Sequence, residues 1–134
     1  MTYQPLHIER SFPKITRTTL ALYAGASGDT NPVHIDLDAA HSAGFDDVFA
    51  HGMLVMAYMG RAITDTVPPQ RMRLFTARFV AITHLGDELT CIGNAGEPSD
   101  EGGERRVEIN LEMKNQHGEV KLVGRAVCAV EPRS

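Results

Sequence analysis

Asp29 and His34 stand five positions apart, separated by Thr30-Asn31-Pro32-Val33. Asp29-Thr30-Asn31-Pro32 is a run of four turn-forming residues. Pro32 biases Asn31 away from helical backbone, so the turn can present the carboxylate and the imidazole in one direction. An unbroken helix would not do so at this spacing. Imidazole titrates near neutrality, and a carboxylate can hold it in a useful tautomer or share a water with it. Hydration of a double bond needs a base that takes a proton from water and an acid that protonates carbon. Two such groups on one water can deliver its two parts to the same face of a flat substrate. The spacing by itself also fits a turn in which Asp29 and Asn31 are caps and His34 packs.

A second stretch, Ala50-His51-Gly52-Met53, opens an apolar segment that runs to Ile63. The first amides of a helix have no acceptor within it and lie at its positive end. Glycine at position 52 lets a ligand approach that backbone closely, and an oxygen placed there would gain an oxyanion-type hydrogen bond. This stretch too could be a plain glycine turn into a core helix. Taken together, an acid–base turn and a helix-start oxyanion site are the parts of enolate chemistry on a carbonyl compound.

These parts need elements to hold them. Residues 6–12 suit a first strand. Thr16 to Ser27 reads as a short helix with Leu20, Tyr23, Ala24 and Ser27 on one face, stopped at Gly28. Asp36 can cap a helix from Leu37 to Ser42, ended by Gly44. The segment Gly52–Ile63 is apolar on nearly every side, which requires almost complete burial. After Val67-Pro68-Pro69 the periodicity changes to two. Strands are expected near 75–81, 87–95, 105–113 and 119–130, with Pro98–Gly103 and Asn115–Gly118 as hairpin connections. The pattern is α+β: four consecutive antiparallel strands following one buried helix, most simply a curved sheet wrapped around it. Strand 119–130 carries little charge and is expected at an edge available for pairing with another copy.

The chain has 134 residues, 43% of them hydrophobic and 22% charged, and is read as one domain spanning 1–134. Its 13 basic and 17 acidic residues leave a net charge of −4, which recruits neither nucleic acid nor an anionic membrane. Cys91 and Cys128 lie in apolar strand-like runs and are expected as buried thiols in a reducing cytosol. Met1–Pro5 lacks the basic start and apolar run of a signal peptide, and the apolar segment is too short to span a bilayer; a cytoplasmic protein is expected. No metal site is expected. Asp36, Asp38, His34 and His41 offer suitable ligand types, but Asp36 serves better as a cap. Arg71 and Arg73 share a strand face, either solvated or in contact with phosphates.

Ser27-Gly28-Asp29-Thr30-Asn31-Pro32-Val33-His34, followed by Ala40 and by Ala50-His51-Gly52-Met53-Leu54, resembles the signature of the MaoC-like (R)-specific enoyl-CoA hydratases. The likeness is to the single-hot-dog form and covers essentially the whole chain. It implies a hot-dog fold, a curved antiparallel sheet around a long helix. It implies that Asp29 and His34 bind and activate water, that Asn31 positions the catalytic loop, that the Gly52 amide polarises a thioester carbonyl, and that His51 belongs to the same substrate-binding loop. The reaction implied is reversible syn hydration of a trans-2-enoyl thioester to the (R)-3-hydroxyacyl thioester. No cofactor is implied, since coenzyme A or phosphopantetheine is part of the substrate. A homodimer or higher homo-oligomer is implied, and a heteromeric dehydratase is the variant. Ala26 departs mildly from the family's Leu, Val, Ile or Gly. A hot-dog thioesterase is the competing enzyme class, and it usually carries an acid on the central helix; here none precedes Asp65. Met56, Tyr58, Met59 and Phe75 are candidates to cap an acyl pocket, with Ala57 and Gly60 opening it.

Overall fold

Residues 6–130 are described by the computed structural model. After strand β1 (His7–Ser11) comes helix α1 (Arg17–Ser27), whose N-cap Thr16 accepts from the Thr19 amide in a capping box. Gly28 ends α1 with φ 81°, a left-handed cap that glycine adopts without penalty. A single 3-10 turn (Pro32–His34) leads to the short helix α2 (Leu37–Ser42), capped by Asp36 as expected. The central helix α3 (Gly52–Thr64) follows, then strands β2 (Met72–Phe79), β3 (Thr90–Ala95), β4 (Ser99–Glu101), β5 (Glu104–Lys114) and β6 (Val120–Ala129).

The strands form one curved antiparallel sheet in the order β1-β3-β5-β6-β2, with β4 paired to the start of β5. Helix α3 lies against it, touching β1, β2, β3 and β6. Alternation along β5 turns Val107, Ile109, Leu111 and Met113 inward, where they join Leu54, Val55, Met59, Ala62 and Ile63 of α3 in the core. Close approach is set by Gly124 on β6, where an added Cβ would lie 2.3 Å from the Met59 sulfur.

The structure corrects three sequence readings. Strand β6 is not an edge: it is flanked by β5 and β2, and the edges are β1 and β2. Low charge in 119–130 reflects burial between neighbours, not an open side. Helix α3 is not buried all round. Its 54/55, 59 and 62/63 stripe is covered, whereas Met53 is 56% exposed and Ala57 faces solvent. Small residues at 52, 57 and 60 make this face apolar in composition without obliging the chain to cover it. Pro98–Gly103 is not all turn: Ser99–Glu101 pair with β5 as strand β4, and the reversal is confined to Gly102 and Gly103, both at positive φ. Cys91 and Cys128 are free and buried, and burial pushes the Cys91 thiol up to about 11.

Candidate active site

The loop between α1 and α2 is built from side chains that accept from their own backbone. Ser27 Oγ accepts from the Asp29 amide at 3.1 Å, Asp29 Oδ1 from the Asn31 amide at 3.2 Å, and Asn31 Oδ1 from the Val33 amide at 3.2 Å. These three side-chain contacts, one from a serine and two from Asx residues, each reach only two residues along the chain. It leaves Asp29 and Asn31 exposed and turns His34 inward, where only 8% of its surface remains accessible.

His34 Nδ1 lies 2.7 Å from the main-chain oxygen of Phe49. A carbonyl can only accept, so this nitrogen carries a proton, and Nε2 is the one ring nitrogen left that can act as an acceptor. His51 is 1% exposed and its Nε2 donates to the Asp29 carbonyl at 3.0 Å. Its Nδ1 is buried and has no hydrogen-bond partner among the described residues. The two imidazoles stack with centroids 3.9 Å apart, and Tyr23 meets His51 edge-on at 4.8 Å. Burial is the main reason that His51 protonates less readily than a free imidazole; the hydrogen bond to Asp29 opposes this, and the neighbouring His34 reinforces it.

A carboxylate oxygen of Asp29 and one ring nitrogen each of His34 and His51 lie within 4.8 Å of one another. Two acceptors served by the two protons of one water stand roughly 4.4 Å apart at ordinary hydrogen-bond lengths, a separation that this cluster of acid and imidazoles encompasses. The same three residues are of types that bind a transition metal, and each histidine gives one ring N–H to a backbone carbonyl. This set shares only His34 with the Asp36, Asp38, His34 and His41 grouping weighed from the sequence. There Asp36 caps α2 and His41 Nε2 donates to the Asp46 carbonyl.

Gly52 is the first residue of α3, directly after His51, so its amide is among those with no acceptor in the helix. The Phe79 ring lies over it, with Cε1 3.0 Å from where a Cβ would stand. Beside Gly52 is a cavity of about 300 Å³ walled by Phe49, Val55, Phe79, Ile82 and Lys121 among others. Asp29, Asn31, His34 and His51 do not line it; it meets their loop through Gly52 and Phe49. The structure therefore brings together Asp29, His34 and His51, and sets Gly52 at the mouth of an apolar cavity. Asn31 holds the turn through its carbonyl side chain.

The proposed pocket caps lie elsewhere. Tyr58 stacks on Phe12 at 4.4 Å, Met59 is fully buried against Gly124, and Phe75 packs near Gly60. Arg71 closes a 3-10 turn, while Arg73 pairs with Glu104, so the two do not share a strand face. Sequence reasoning missed the Phe49 carbonyl, which no residue type announces, and the Phe79–Thr83 segment that walls the cavity. The apolar run Phe79-Val80-Ala81-Ile82 was the available signal for the latter.

The MaoC like domain family matches residues 3–117. Among solved structures, the chain is similar to the R-hydratase PhaJ1 of Pseudomonas aeruginosa (TM-score 0.80, 31% identity, 99% of this chain and 89% of that one). An (R)-hydratase of A. caviae involved in PHA biosynthesis shares the fold at 20% identity (TM-score 0.81, 97% of this chain and 98% of that one). A mitochondrial 3-hydroxyacyl-[acyl-carrier-protein] dehydratase of Arabidopsis thaliana is 27% identical over 82% of this chain and 66% of its own length. An (R)-specific enoyl-CoA hydratase of Rhodospirillum rubrum is 32% identical over 57% of this chain. The chain spans 54% of that relative.

Proposed function

This chain belongs to the MaoC-like dehydratase family and has its hot-dog fold, and from that premise we propose that it adds water reversibly to a trans-2-enoyl thioester, giving the (R)-3-hydroxyacyl thioester. The observation that carries the proposal is the His34 imidazole, its Nδ1 proton committed to the Phe49 carbonyl and its ring in one cluster with the Asp29 carboxylate. In this reading one water donates to both groups. As its oxygen bonds to C3, one proton passes to the Asp29–His34 pair and electron density moves through the double bond onto the thioester oxygen, held by the Gly52 amide. The pair then returns the proton to C2 from the same side. Water is consumed whole, no electrons leave the substrate, and addition is syn. Asn31 and His51 act by holding the loop, and no cofactor is needed beyond the thioester's own pantetheine arm.

The competing hydrolase reading has less support, since α3 carries no carboxylate and Asp65, just past its end, is paired with Arg10. We further propose that the working unit is a homo-oligomer, on the grounds that β2 has no strand on its outer side among the described residues and that Met53 and Phe79, flanking Gly52, are more than half exposed. Light scattering after size exclusion tests this, and a monomer fully active alone would reject it.

The activity is tested by following the enoyl absorbance of crotonyl-CoA and of longer enoyl-CoA and carrier-protein thioesters. Product stereochemistry is read with an (R)-specific dehydrogenase. Formation of the (R)-alcohol supports the proposal. Release of free thiol without hydration would replace it with hydrolysis, and inertness toward every chain length and both carriers would reject it.

A further inference from the structure

Lys121 is the largest side chain buried to this degree in the structure, with 1% of its surface exposed. Period-two alternation along β6 turns Leu122, Gly124, Ala126 and Cys128 toward the core, so position 121 should face out with Val123 and Arg125. It faces in because the ladder slips there. Met113 pairs with Leu122 and Lys114 with Val120, which leaves Lys121 as the extra residue of a β-bulge. Bulges re-aim a side chain and gather near active sites. A cation is costly to bury unless its protons are all used, so its contacts indicate what the bulge holds.

Those contacts converge on one segment. The Lys121 ammonium donates to the Ile82 carbonyl at 2.7 Å, pairs with Glu119, and lies 3.4 Å from Asp87. The Lys121 carbonyl accepts from the amides of Val80 and Ala81 at 3.0 and 3.3 Å. Asp87, itself 6% exposed, accepts from the His84 amide at 2.9 Å and from Asn115 at 3.2 Å. One lysine thus grips residues 80–82 directly and 84 through Asp87. On its other side the same strap holds the loop ahead of α3: the Ala50 amide donates to the Thr83 carbonyl at 2.9 Å, and Phe49 bridges His84. Phe49 is the residue whose carbonyl holds the Nδ1 proton of His34. Lys121 also lines the cavity beside Gly52.

We propose that Lys121 is a positioning residue: through the 80–84 strap it fixes Phe49, and through Phe49 it fixes the tautomer and aim of His34. The kinetic consequence rests on the hydratase reading above; the tautomer consequence does not. Removing the cation leaves the Ile82 carbonyl and the Asp87 carboxylate without their common partner, and the strap keeps its main-chain bonds at 80 and 81 but loses the side-chain anchor nearest the Phe49 bridge. Displacement of a catalytic base by about 1 Å can cost roughly 100-fold in rate.

The test is Lys121→Met, which keeps the unbranched apolar stem of the side chain and removes its charged end, beside Lys121→Gln, which keeps a donor group for Ile82. His34 is read by long-range proton–nitrogen correlation NMR above pH 8, which distinguishes N–H at Nδ1 from N–H at Nε2. Folded Lys121→Met is expected to move His34 from a single Nδ1–H form toward a mixture, and to lower kcat at least tenfold. Lys121→Gln should restore most of both. An unshifted His34 signal in folded Lys121→Met overturns the proposal whatever the kinetics. A shifted signal with unchanged turnover supports the positioning and counts instead against the catalytic role given to His34. Failure of both variants to fold would assign Lys121 to the stability of the sheet and would likewise overturn it.

Discussion

Asp29→Asn separates the chemistry of the loop from its architecture. Asp29 is exposed, and among the described residues its side chain makes one hydrogen bond, accepting from the Asn31 amide through Oδ1 at 3.2 Å. Asparagine keeps that acceptor in the same place, and the His51 bond is to the Asp29 main-chain carbonyl, which the substitution does not touch. The fold should therefore change by no more than about 0.5 kcal/mol, as is usual for a surface replacement. For a chain of this size that is about 3 °C in Tm or less. On the proposed mechanism, what is lost is the charge beside the attacking water and one of that water's two acceptors, since an amide nitrogen would donate where a carboxylate oxygen accepts. An acid–base group of this kind is worth about 10²- to 10⁴-fold in kcat, or about 2.7 to 5.4 kcal/mol at 1.36 kcal/mol per decade. Enoyl-thioester hydration measured beside thermal melts of both proteins reads the two effects separately. Turnover within about threefold of wild type would refute the role of Asp29. A Tm loss well beyond that range would refute the account of the turn.

Gly52→Ala should stay folded. Alanine is a better helix former than glycine and the added Cβ would meet first the half-exposed Phe79 ring, at 3.0 Å, yet it would crowd the approach to the amide, so kcat/KM should fall about 100-fold; wild-type kinetics would place the carbonyl elsewhere. His51→Gln should flatten the acid side of the stability profile. Burial holds the folded-state pKa of His51 below its unfolded value of about 6.5, so the unfolded chain binds the extra proton and stability is lost as pH falls below about 6.5. Urea midpoints of the two proteins at pH 7.5 and 5.5 check this, and parallel losses would reject it. Gly124→Ala places a carbon 2.3 Å from the sulfur of the fully buried Met59, an overpacking that should cost about 1 to 3 kcal/mol by urea denaturation; an unchanged midpoint would show that Met59 has room to move.

Much of the site was legible because it is local. The Ser27, Asp29 and Asn31 acceptors each reach two residues along the chain, the Gly28 cap closes on Ala24, and Asp36 caps its own helix. Such contacts are written in residue type and spacing, and so are the inward alternation of β5 and the helix start at Gly52. Other features joined residues far apart in the chain. The His34 tautomer depends on a carbonyl 15 residues away, His51 is oriented by one 22 residues away, and Lys121 grips one 39 residues away. A backbone oxygen is the same whatever side chain it accompanies, so no pattern in the sequence marks Phe49 or Ile82 for these duties. The position of β6 inside the sheet, the open edge of β2 and the slip that turns Lys121 inward were decided by which strands met which. Every strand carries the same ladder of donors and acceptors, and only packing against α3 selects among the pairings.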